Sequence, residues 1–519
     1  MPNLLKNFLA EPNKDENLSK LYKNGILKIH RAPDNCTSDF IIKSLYYALG
    51  LCETSANNAA TKSKEFNRNT KIGLKNAYEG KRKSPNNLDE EVWRSLVTNI
   101  LSRPKTSTQR SSSLFLEPLI PQLAEISAAA REKGNWNPGE LIRGMIVKGC
   151  SDLSEAKELW LKLAKALEVE SSTDDIWSRF LTTELDEWIL DSSKINDSNR
   201  ADLTKGWGKD DAKPIKLELD FDYPSKEFCR SLPKILKLKN LLTRKQWMAI
   251  VDSYFRISCV SEALWTCEMN NRIWYLVEHT LSDDYNYDIK EICEHLKRPL
   301  NFLSIGEHLE NSLREHCRKY VTSRTSLNFV FHQLAAIGEE QKNFCNGTAP
   351  LNSIERIKEL LAHVKQLRGK ISAQDVNKFT AEVKDRYPKL TRLQGSGTYS
   401  INLFYFCRYA LGQFNPINKE KRHVDQGFWG EKSGNYPAAP WIVSLGSNAI
   451  LSMVACCSRA GQQATVVDLS NQLLKFGINA DVRELSEGKL GKQLRGLGLV
   501  VDSPDAEGGM VISLPFKNI

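Results

Sequence analysis

The chain has 519 residues, with 72 lysines and arginines against 63 aspartates and glutamates, which gives a formal net charge of +9. This length accommodates two to four domains. A hydrophobic content of 41% with 26% charged residues is typical of a soluble globular protein. The small basic excess is compatible with nucleic-acid binding without demonstrating it.

Three further features of the composition exclude whole classes of protein. The 12 cysteines include no CxxC pair, which argues against a disulfide framework and a zinc ribbon. The start of the chain, Met1–Glu11, lacks the apolar core of a signal peptide. No apolar run reaches the roughly 18 residues that a membrane span needs. We therefore expect a cytoplasmic protein with reduced thiols and no membrane contact.

Residues 1–200 are predicted to form an N-terminal helical region. Apolar residues recur at helical spacing in several places, and in one of them Leu159, Leu163 and Leu167 form a repeated inner face. This spacing predicts helices over 39–51, 116–131, 137–148, 153–167 and 174–190.

The segment 62–110 within this region is the most basic part of the chain. Its lysines and arginines outnumber its acidic residues, and asparagine and serine fill the gaps between them. We expect a second surface for phosphate contact here, with Lys81, Arg82 and Lys83 as the candidate contacts. The alternative is an ordinary solvated surface, and aromatic residues are too few to indicate base stacking.

Residues 215–440 are predicted to form a central helical domain with one strand. Apolar and charged residues alternate without a break over 215–223, which predicts a half-buried strand that ends at Pro224. A lone strand needs a partner, and 25–30 is the candidate. Further along, helical spacing predicts helices over 231–281, 289–332, 353–369, 373–387 and 401–411.

Residues 441–519 carry the pattern of a winged-helix domain. A first helix is predicted over 447–459. The hydroxyl of Thr465 is suited to cap a second helix, which ends at Gly477 because glycine readily adopts the left-handed conformation. The segment from Ile478 to Leu485 is predicted to be a connection. A third helix and the two strands of a wing follow, at 486–497, 499–501 and 510–514.

The third helix of this domain is the candidate recognition helix. Ser486 is suited to cap it, and Leu490, Leu494 and Leu497 form its inner stripe. At about 100° per residue, its cations lie away from that stripe. Such a helix docks its leucines on neighbouring helices and offers its cations to phosphates or guanine edges. The candidate contacts are Arg483 near the helix entry, Lys489, Lys492 and Arg495.

No motif for catalysis, a metal or a cofactor stands out. The chain has no GxxxxGK[ST] phosphate loop and no HExxH. His279, His295, His308 and His316 lie within a short span near two cysteines, but adjacent residues rarely serve together as zinc ligands. We therefore expect no catalytic residue, no metal and no cofactor.

Two weaker patterns leave a nuclease open as an alternative. Arg356 and His363 have the spacing of an Arg–His pair in some helical ribonuclease domains, where a cation and a general acid or base meet a phosphodiester. Asp220 and Asp222 lie on the predicted strand, as acids of a restriction-type nuclease would, but the acid-x-Lys strand that completes such a site is missing.

The run from His423 to Gly446, HVDQGFWGEKSGNYPAAPWIVSLG, together with the helix at Ser447, resembles uncharacterised accessory proteins of bacterial anti-phage defence operons of the Druantia and Zorya types. The resemblance covers roughly 421–516. In such operons a large helicase or ATPase is accompanied by helical proteins without an evident active site. The resemblance implies a DNA-sensing or scaffolding subunit whose enzyme is another chain.

The sequence thus predicts a mostly α, multi-domain protein with a few short strands and a C-terminal winged helix. The expected function is that of a non-catalytic subunit of a bacterial antiviral system, which binds DNA through the winged helix and the basic segment 62–110. A helicase or ATPase is its expected partner. Two alternatives stay open: a scaffold whose winged helix docks a partner enzyme, and a divergent metal-dependent or HEPN-like nuclease.

Overall fold

The computed structural model shows a mostly helical chain, as the sequence predicts. It describes residues 27, 40–51, 116–126, 138–170, 172–188, 218–346, 351–369, 377, 399–412, 428–434, 439–457, 464–501 and 510–513. The described strands are each two or three residues long, so helices supply nearly all of the regular structure.

The helices are numbered in chain order. Six precede the longest helix: α1 (Phe40–Ala48), α2 (Pro121–Ile126), α3 (Pro138–Gly149), α4 (Leu153–Leu167), α5 (Ile176–Trp188) and α6 (Pro224–Lys237). The central part contains α7 (Arg244–Asp283), α8 (Ile289–Lys297), α9 (Leu309–Ala335), α10 (Glu339–Asn346), α11 (Ile354–Arg368) and α12 (Tyr399–Ala410). The C-terminal part contains α13 (Ser447–Cys457), α14 (Val466–Lys475), α15 (Val482–Ser486) and α16 (Lys489–Gly496).

The strands form three small sheets. They are β1 (Leu303–Ser304), β2 (Gly430–Lys432), β3 (Trp441–Val443), β4 (Ala464–Thr465), β5 (Ile478–Asn479), β6 (Val500–Val501) and β7 (Val511–Ile512). Strands β1 and β5 pair in parallel, and β2 and β3 pair antiparallel. The third sheet is antiparallel with the order β4-β7-β6.

The 40-residue helix α7 lies at the centre of the described fold. A capping box starts it, because the Thr243 hydroxyl accepts from the backbone N–H of Gln246 and the Gln246 side chain accepts from the backbone N–H of Thr243. Most of its residues are buried, and α6, α9, α11, α12 and α13 pack against it. An apolar surface on all sides of a helix requires neighbours on all sides.

A buried arginine joins the start of α7 to the N-terminal helices. The guanidinium of Arg244 donates to the backbone carbonyls of Leu119, at 2.7 Å, and Glu168, at 2.9 Å, and to that of Leu167. It also forms an ion pair with Asp174 at 3.0 Å. A buried cation is tolerated only when its donors are paired in this way.

Helix α4 agrees with the sequence prediction in its bounds and in its buried face. The carboxylate of Asp152 caps it by accepting from the backbone N–H of Glu155 at 2.8 Å. The predicted inner residues Leu159, Leu163 and Leu167 are all buried.

The predicted strand over 215–223 is not a strand where the structure describes it, from residue 218 onward. A single parallel bridge joins Glu218 to Ser353. Of the predicted partner 25–30 only residue 27 is among the described residues, so that pairing stays a prediction. The burial pattern was predicted correctly, because Leu219, Phe221 and Tyr223 are buried. The alternation corresponds here to a segment that buries every second side chain but, in its described part, does not form a strand. Pro224 ends it by starting α6.

The described C-terminal elements occur in the order that the sequence predicts, with four additions: the strands β3, β4 and β5 and the short helix α15. Helices α13, α14 and α16 and the strands β6 and β7 lie near their predicted positions. The segment 478–485, predicted only as a connection, contains the strand β5 and most of the short helix α15. The boundary of a separate domain at residue 441 stays a prediction, since buried residues of this part belong to the same apolar core as the central helices.

None of the helices in the described ranges combines the length and the apolar character that crossing a membrane requires.

Candidate nucleic-acid interface

Helix α16 presents its faces largely as its sequence predicts. Leu490 and Leu494 are buried, and at about 100° per residue Lys492 lies on the opposite side of the helix and is exposed. The third leucine of the predicted stripe was assigned wrongly: Leu497 is 39% exposed at the end of the helix. Leu499, beyond the glycine, fills the core in its place.

The start of α16 differs from the prediction. Ser486 does not cap this helix; it belongs to α15, and its hydroxyl donates to the carbonyl of Arg483 at 3.2 Å. The N-cap of α16 is Gly488, and the Glu484 carboxylate accepts from the backbone N–H of Leu490 at 3.2 Å. A carboxylate is favourable at this end because the helix dipole is positive there.

Lys489, the first residue of α16, is already paired. Its ammonium group contacts the carboxylate of Glu431. Glu431 lies on β2, which precedes the predicted winged-helix domain 441–519 in the sequence. Partial burial lowers the pKa of Lys489, although the carboxylate beside it favours the charged form. This lysine therefore holds α16 against the β2-β3 sheet, and a phosphate would compete with Glu431 for it.

Arg495 is exposed but is held in place by two neighbours. Its guanidinium donates to the carbonyl of Ser486 at 2.7 Å and contacts the sulfur of Met510 at 3.2 Å. The side chain thus links the end of α15 to the residue before β7. Its charge faces solvent, while its position is determined by the C-terminal part itself.

Arg483 and Lys492 are the candidate contacts that keep a free charge. Both are exposed. Within the described part of the chain, neither side chain forms an ion pair or hydrogen bond. Arg483 lies on α15 and Lys492 on α16, so two adjacent helices each contribute one available cation.

Lys81, Arg82 and Lys83, like the whole of 62–110, lie outside the described residues. Their role as additional contacts stays a prediction.

Side chains of α14 attach this interface to the central helices. Gln472 donates from Nε2 to the Glu227 carboxylate at 2.8 Å, and the ammonium of Lys475 lies 3.2 Å from the same carboxylate. The hydroxyl of Ser261, on α7, donates to the carbonyl of Phe476 at 2.7 Å. These contacts could not be predicted from the sequence, because each joins residues more than 200 positions apart.

The parallel pairing of β1 with β5 extends this attachment. Leu303 pairs with Ile478 and Ser304 with Asn479. Gly477 precedes β5 with a φ of +73°, and a Cβ atom there would lie 2.1 Å from the ring of Phe302. Only glycine fits both the backbone conformation and the space.

The histidines of the central part take part in separate contacts. No group of three potential ligands occurs among the described residues. His308 is the N-cap residue of α9, and His316 packs edge-on against Phe302, with ring centroids 5.5 Å apart. Burial lowers the pKa of His316 and also that of His295, as is usual for structural histidines.

The residues of the two nuclease patterns are engaged in other contacts. His363 is 4% exposed, and its Nδ1 lies 3.4 Å from the amide of Gln341. Arg356 pairs with Glu359 at 2.5 Å. Asp222 pairs with Arg230 at 3.2 Å, and the described part of its segment, from residue 218, makes one isolated bridge. A phosphodiester cannot reach the ring of His363 without displacing the side chains that cover it.

A comparison with protein-family models finds no match, and neither does a comparison with curated proteins.

Proposed function

We propose that this chain is a cytoplasmic, non-catalytic subunit of a multi-protein bacterial defence system that binds duplex DNA through its C-terminal part. In this proposal, residues 441–519 form a winged-helix domain and α16 is its recognition helix. A helicase or ATPase encoded nearby supplies the chemistry, and Lys81, Arg82 and Lys83 add phosphate contacts.

The observation that carries this proposal is the exposed, unpaired charge of Lys492 opposite the buried leucines of α16. A recognition helix needs one face in the core and a cation on the other. The element order supports it: the helix α13, the strand β4, the three helices α14 to α16 with the short strand β5 among them, and the strands β6 and β7 that complete the antiparallel β4-β7-β6 sheet. A winged helix is expected to have this helical core and this small sheet.

The test is the salt dependence of duplex-DNA binding by the full chain. A double variant, Arg483→Ala with Lys492→Ala, removes two free cations without touching a described contact of either side chain. We expect the slope of log affinity against log salt to become shallower by about two units, because each phosphate contact contributes about 0.9. Fluorescence anisotropy with a labelled 20-base-pair duplex measures this.

A matched control removes two charges elsewhere. Lys162 and Lys319 are exposed lysines on α4 and α9, each in a surface ion pair. The double variant Lys162→Ala with Lys319→Ala should bind DNA as the wild type does. Equal affinity and equal slope for the interface variant and the wild type would refute the proposal.

Docking of a protein by the same domain is the second candidate, and exposed apolar side chains favour it. Val467, Leu474, Val482 and Leu497 are each about 40% exposed in the C-terminal part. Exposed apolar groups on one unit are typical of a protein contact. If Val482→Ser with Leu497→Ser releases a partner subunit while DNA binding is unchanged, docking is the function of this face.

A further inference from the structure

A group of aromatic rings in mutual contact lies at the far end of α7, in the loop that follows it and on α8. We name this group the tyrosine patch: Tyr275, His279, Tyr285, Tyr287 and His295. The ring of Tyr275 stacks on His295, with centroids 5.0 Å apart, and on His279, at 5.8 Å. Tyr285 and Tyr287 are in contact at 4.5 Å, and both contact His279.

The patch faces solvent. Tyr275 is 51% exposed and Tyr285 40%, and no other aromatic side chain whose burial the structure describes is exposed to this degree. Ile289, next to the loop, is 45% exposed. Most large aromatic side chains of α7 are buried, so the exposed rings at its end are an exception that indicates a contact surface.

Hydrogen bonds hold these rings in fixed positions. The hydroxyl of Tyr285 donates to Glu291 at 2.6 Å, and the hydroxyl of Tyr287 lies 2.6 Å from Nδ1 of His279. Nε2 of His279 lies 2.9 Å from the Asp283 carboxylate, which places the ring proton on that nitrogen. A preformed surface loses little side-chain entropy when a partner binds.

The series Asp283, His279, Tyr287 resembles the base-and-nucleophile arrangement of hydrolases, but the tyrosine is not activated. Burial, with the nearby Tyr275, Tyr285 and Glu291, raises the pKa of Tyr287 to about 12. Its hydroxyl is therefore protonated at neutral pH and acts as a donor. The patch is suited to binding and not to nucleophilic attack.

The charge around the patch is acidic. Between residues 278 and 294 the chain carries one lysine and six carboxylates: Glu278, Asp283, Asp284, Asp288, Glu291 and Glu294.

Neighbouring cations neutralise this charge only in part. On the adjacent α11, Arg368 lies 2.9 Å and Lys365 3.9 Å from Asp284. Lys290 lies 3.9 Å from Glu294, and burial together with the nearby charge of Arg298 lowers the pKa of His295. Such a surface repels phosphates and attracts cations. Nucleic acid is therefore a poor occupant, although it is the proposed ligand of α16.

We propose that the tyrosine patch is the docking surface for a lysine- and arginine-rich segment of a partner protein. Cationic side chains are attracted to the exposed parts of the aromatic rings of Tyr275 and Tyr285. Carboxylates around the rings pair with the remaining charges of the segment, and the apolar parts of lysine and arginine cover Ile289.

The test measures binding of a fluorescein-labelled peptide, twelve residues of alternating lysine, arginine and glycine, to the full-length chain. A double variant, Tyr275→Ala with Tyr285→Ala, is expected to bind it about tenfold more weakly, because each cation–π contact contributes a few-fold. A control, Leu161→Ala with Leu241→Ala, removes two exposed apolar side chains elsewhere and should bind like the wild type.

A second variant tests the charge. Glu278→Gln with Glu294→Gln leaves the tyrosines in place and should weaken binding several-fold at low salt, with the difference lost near 1 M salt, where charges are screened. The same peptide with glutamate in place of its lysines and arginines should not bind.

The proposal is overturned if the tyrosine variant binds the basic peptide like the wild type, or if wild-type binding is equal for the basic and acidic peptides. It is also overturned if the tyrosine variant loses affinity only for a single-stranded oligonucleotide, which would make the patch a base-stacking surface. These outcomes are independent of the DNA-binding test, since no residue of α15 or α16 is changed.

Discussion

Gln472 and Glu227 are 245 positions apart in the sequence and are joined by a hydrogen bond of 2.8 Å between Nε2 and Oε1. Both side chains are buried. Ser231 donates to the same carboxylate at 2.6 Å, and Arg230 and Lys475 pair with it. This network attaches the C-terminal part to α6, so the position of the candidate interface depends on it.

Replacing Gln472 should loosen this attachment. Gln472→Leu removes a donor from a buried carboxylate, and we expect the free energy of unfolding to fall by about 2 kcal/mol, the usual scale for a hydrogen bond to a charged group. Chemical denaturation measures the change. Gln493→Leu, at a half-buried position on α16, is the control and should change stability by less than about 0.5 kcal/mol. Equal effects of the two substitutions would contradict the assigned role.

The contribution of Glu227 should depend on pH. Burial alone would raise the pKa of this carboxyl, but hydrogen bonds from Ser231 and Gln472 and the charges of Lys475 and Arg230 outweigh it, so its pKa lies below the ordinary 4.5. A depressed pKa contributes stability that is present above 4.5 and is lost as the pH falls through the lower, folded value.

The stability of the wild type relative to Glu227→Gln should therefore be largest at neutral pH and should shrink below about pH 4.5. Denaturation series between pH 7 and pH 3 measure this difference. A difference that stays constant, or that grows as the pH falls, would show that the network does not favour the ionised carboxylate.

Gly477 should tolerate no side chain. Gly477→Ala places a Cβ atom 2.1 Å from the Phe302 ring at a φ of +73°. We expect a loss of at least about 2 kcal/mol, from the left-handed conformation and from displacement of the ring. Gly498→Ala is the control, because φ is +66° there but no atom lies within 4 Å; only the conformational cost of about 1 kcal/mol should appear. Thermal denaturation separates the two, and equal losses would rule out the clash with Phe302.

Releasing Lys489 should strengthen DNA binding. Glu431→Gln removes the carboxylate that holds this ammonium group, so the lysine becomes available to a phosphate. We expect a higher affinity at low salt and a slope of log affinity against log salt that is steeper by about one unit. Glu487→Gln removes one exposed charge near α16 without changing the contact of Lys489, and its slope should equal that of the wild type. A steeper slope for both variants would indicate a general charge effect.

Local signals account for the parts of the fold that could be predicted. The capping residue Thr465 was identified from its side-chain chemistry, and its hydroxyl and backbone form a capping box with Asp468. Gly477 and Gly498 end their helices with positive φ, as glycine after an apolar run indicates. Such features need only neighbouring residues, so one sequence contains enough information for them.

Contacts between distant residues account for what could not be predicted. The alternation over 218–223 reflects burial of every second side chain against the rest of the fold. A strand with one solvent-exposed face has the same period of two, so the sequence pattern does not distinguish the two cases. Helix geometry alone predicts the basic face of α16. It does not show that Lys489 pairs with Glu431 or that Arg495 donates a hydrogen bond to the carbonyl of Ser486. Of the four predicted C-terminal contacts, Arg483 and Lys492 keep free charges among the described residues.

Helix α7 continues without interruption from Ser261, where the C-terminal part attaches, to Tyr275 in the tyrosine patch. The two residues are fourteen positions apart, which corresponds to about 21 Å along the helix axis. A duplex bound to the C-terminal part and a basic segment bound to the tyrosine patch would therefore be held at a constant distance from each other. A tether that joins the two ligands should then raise their joint affinity only when its length matches that spacing.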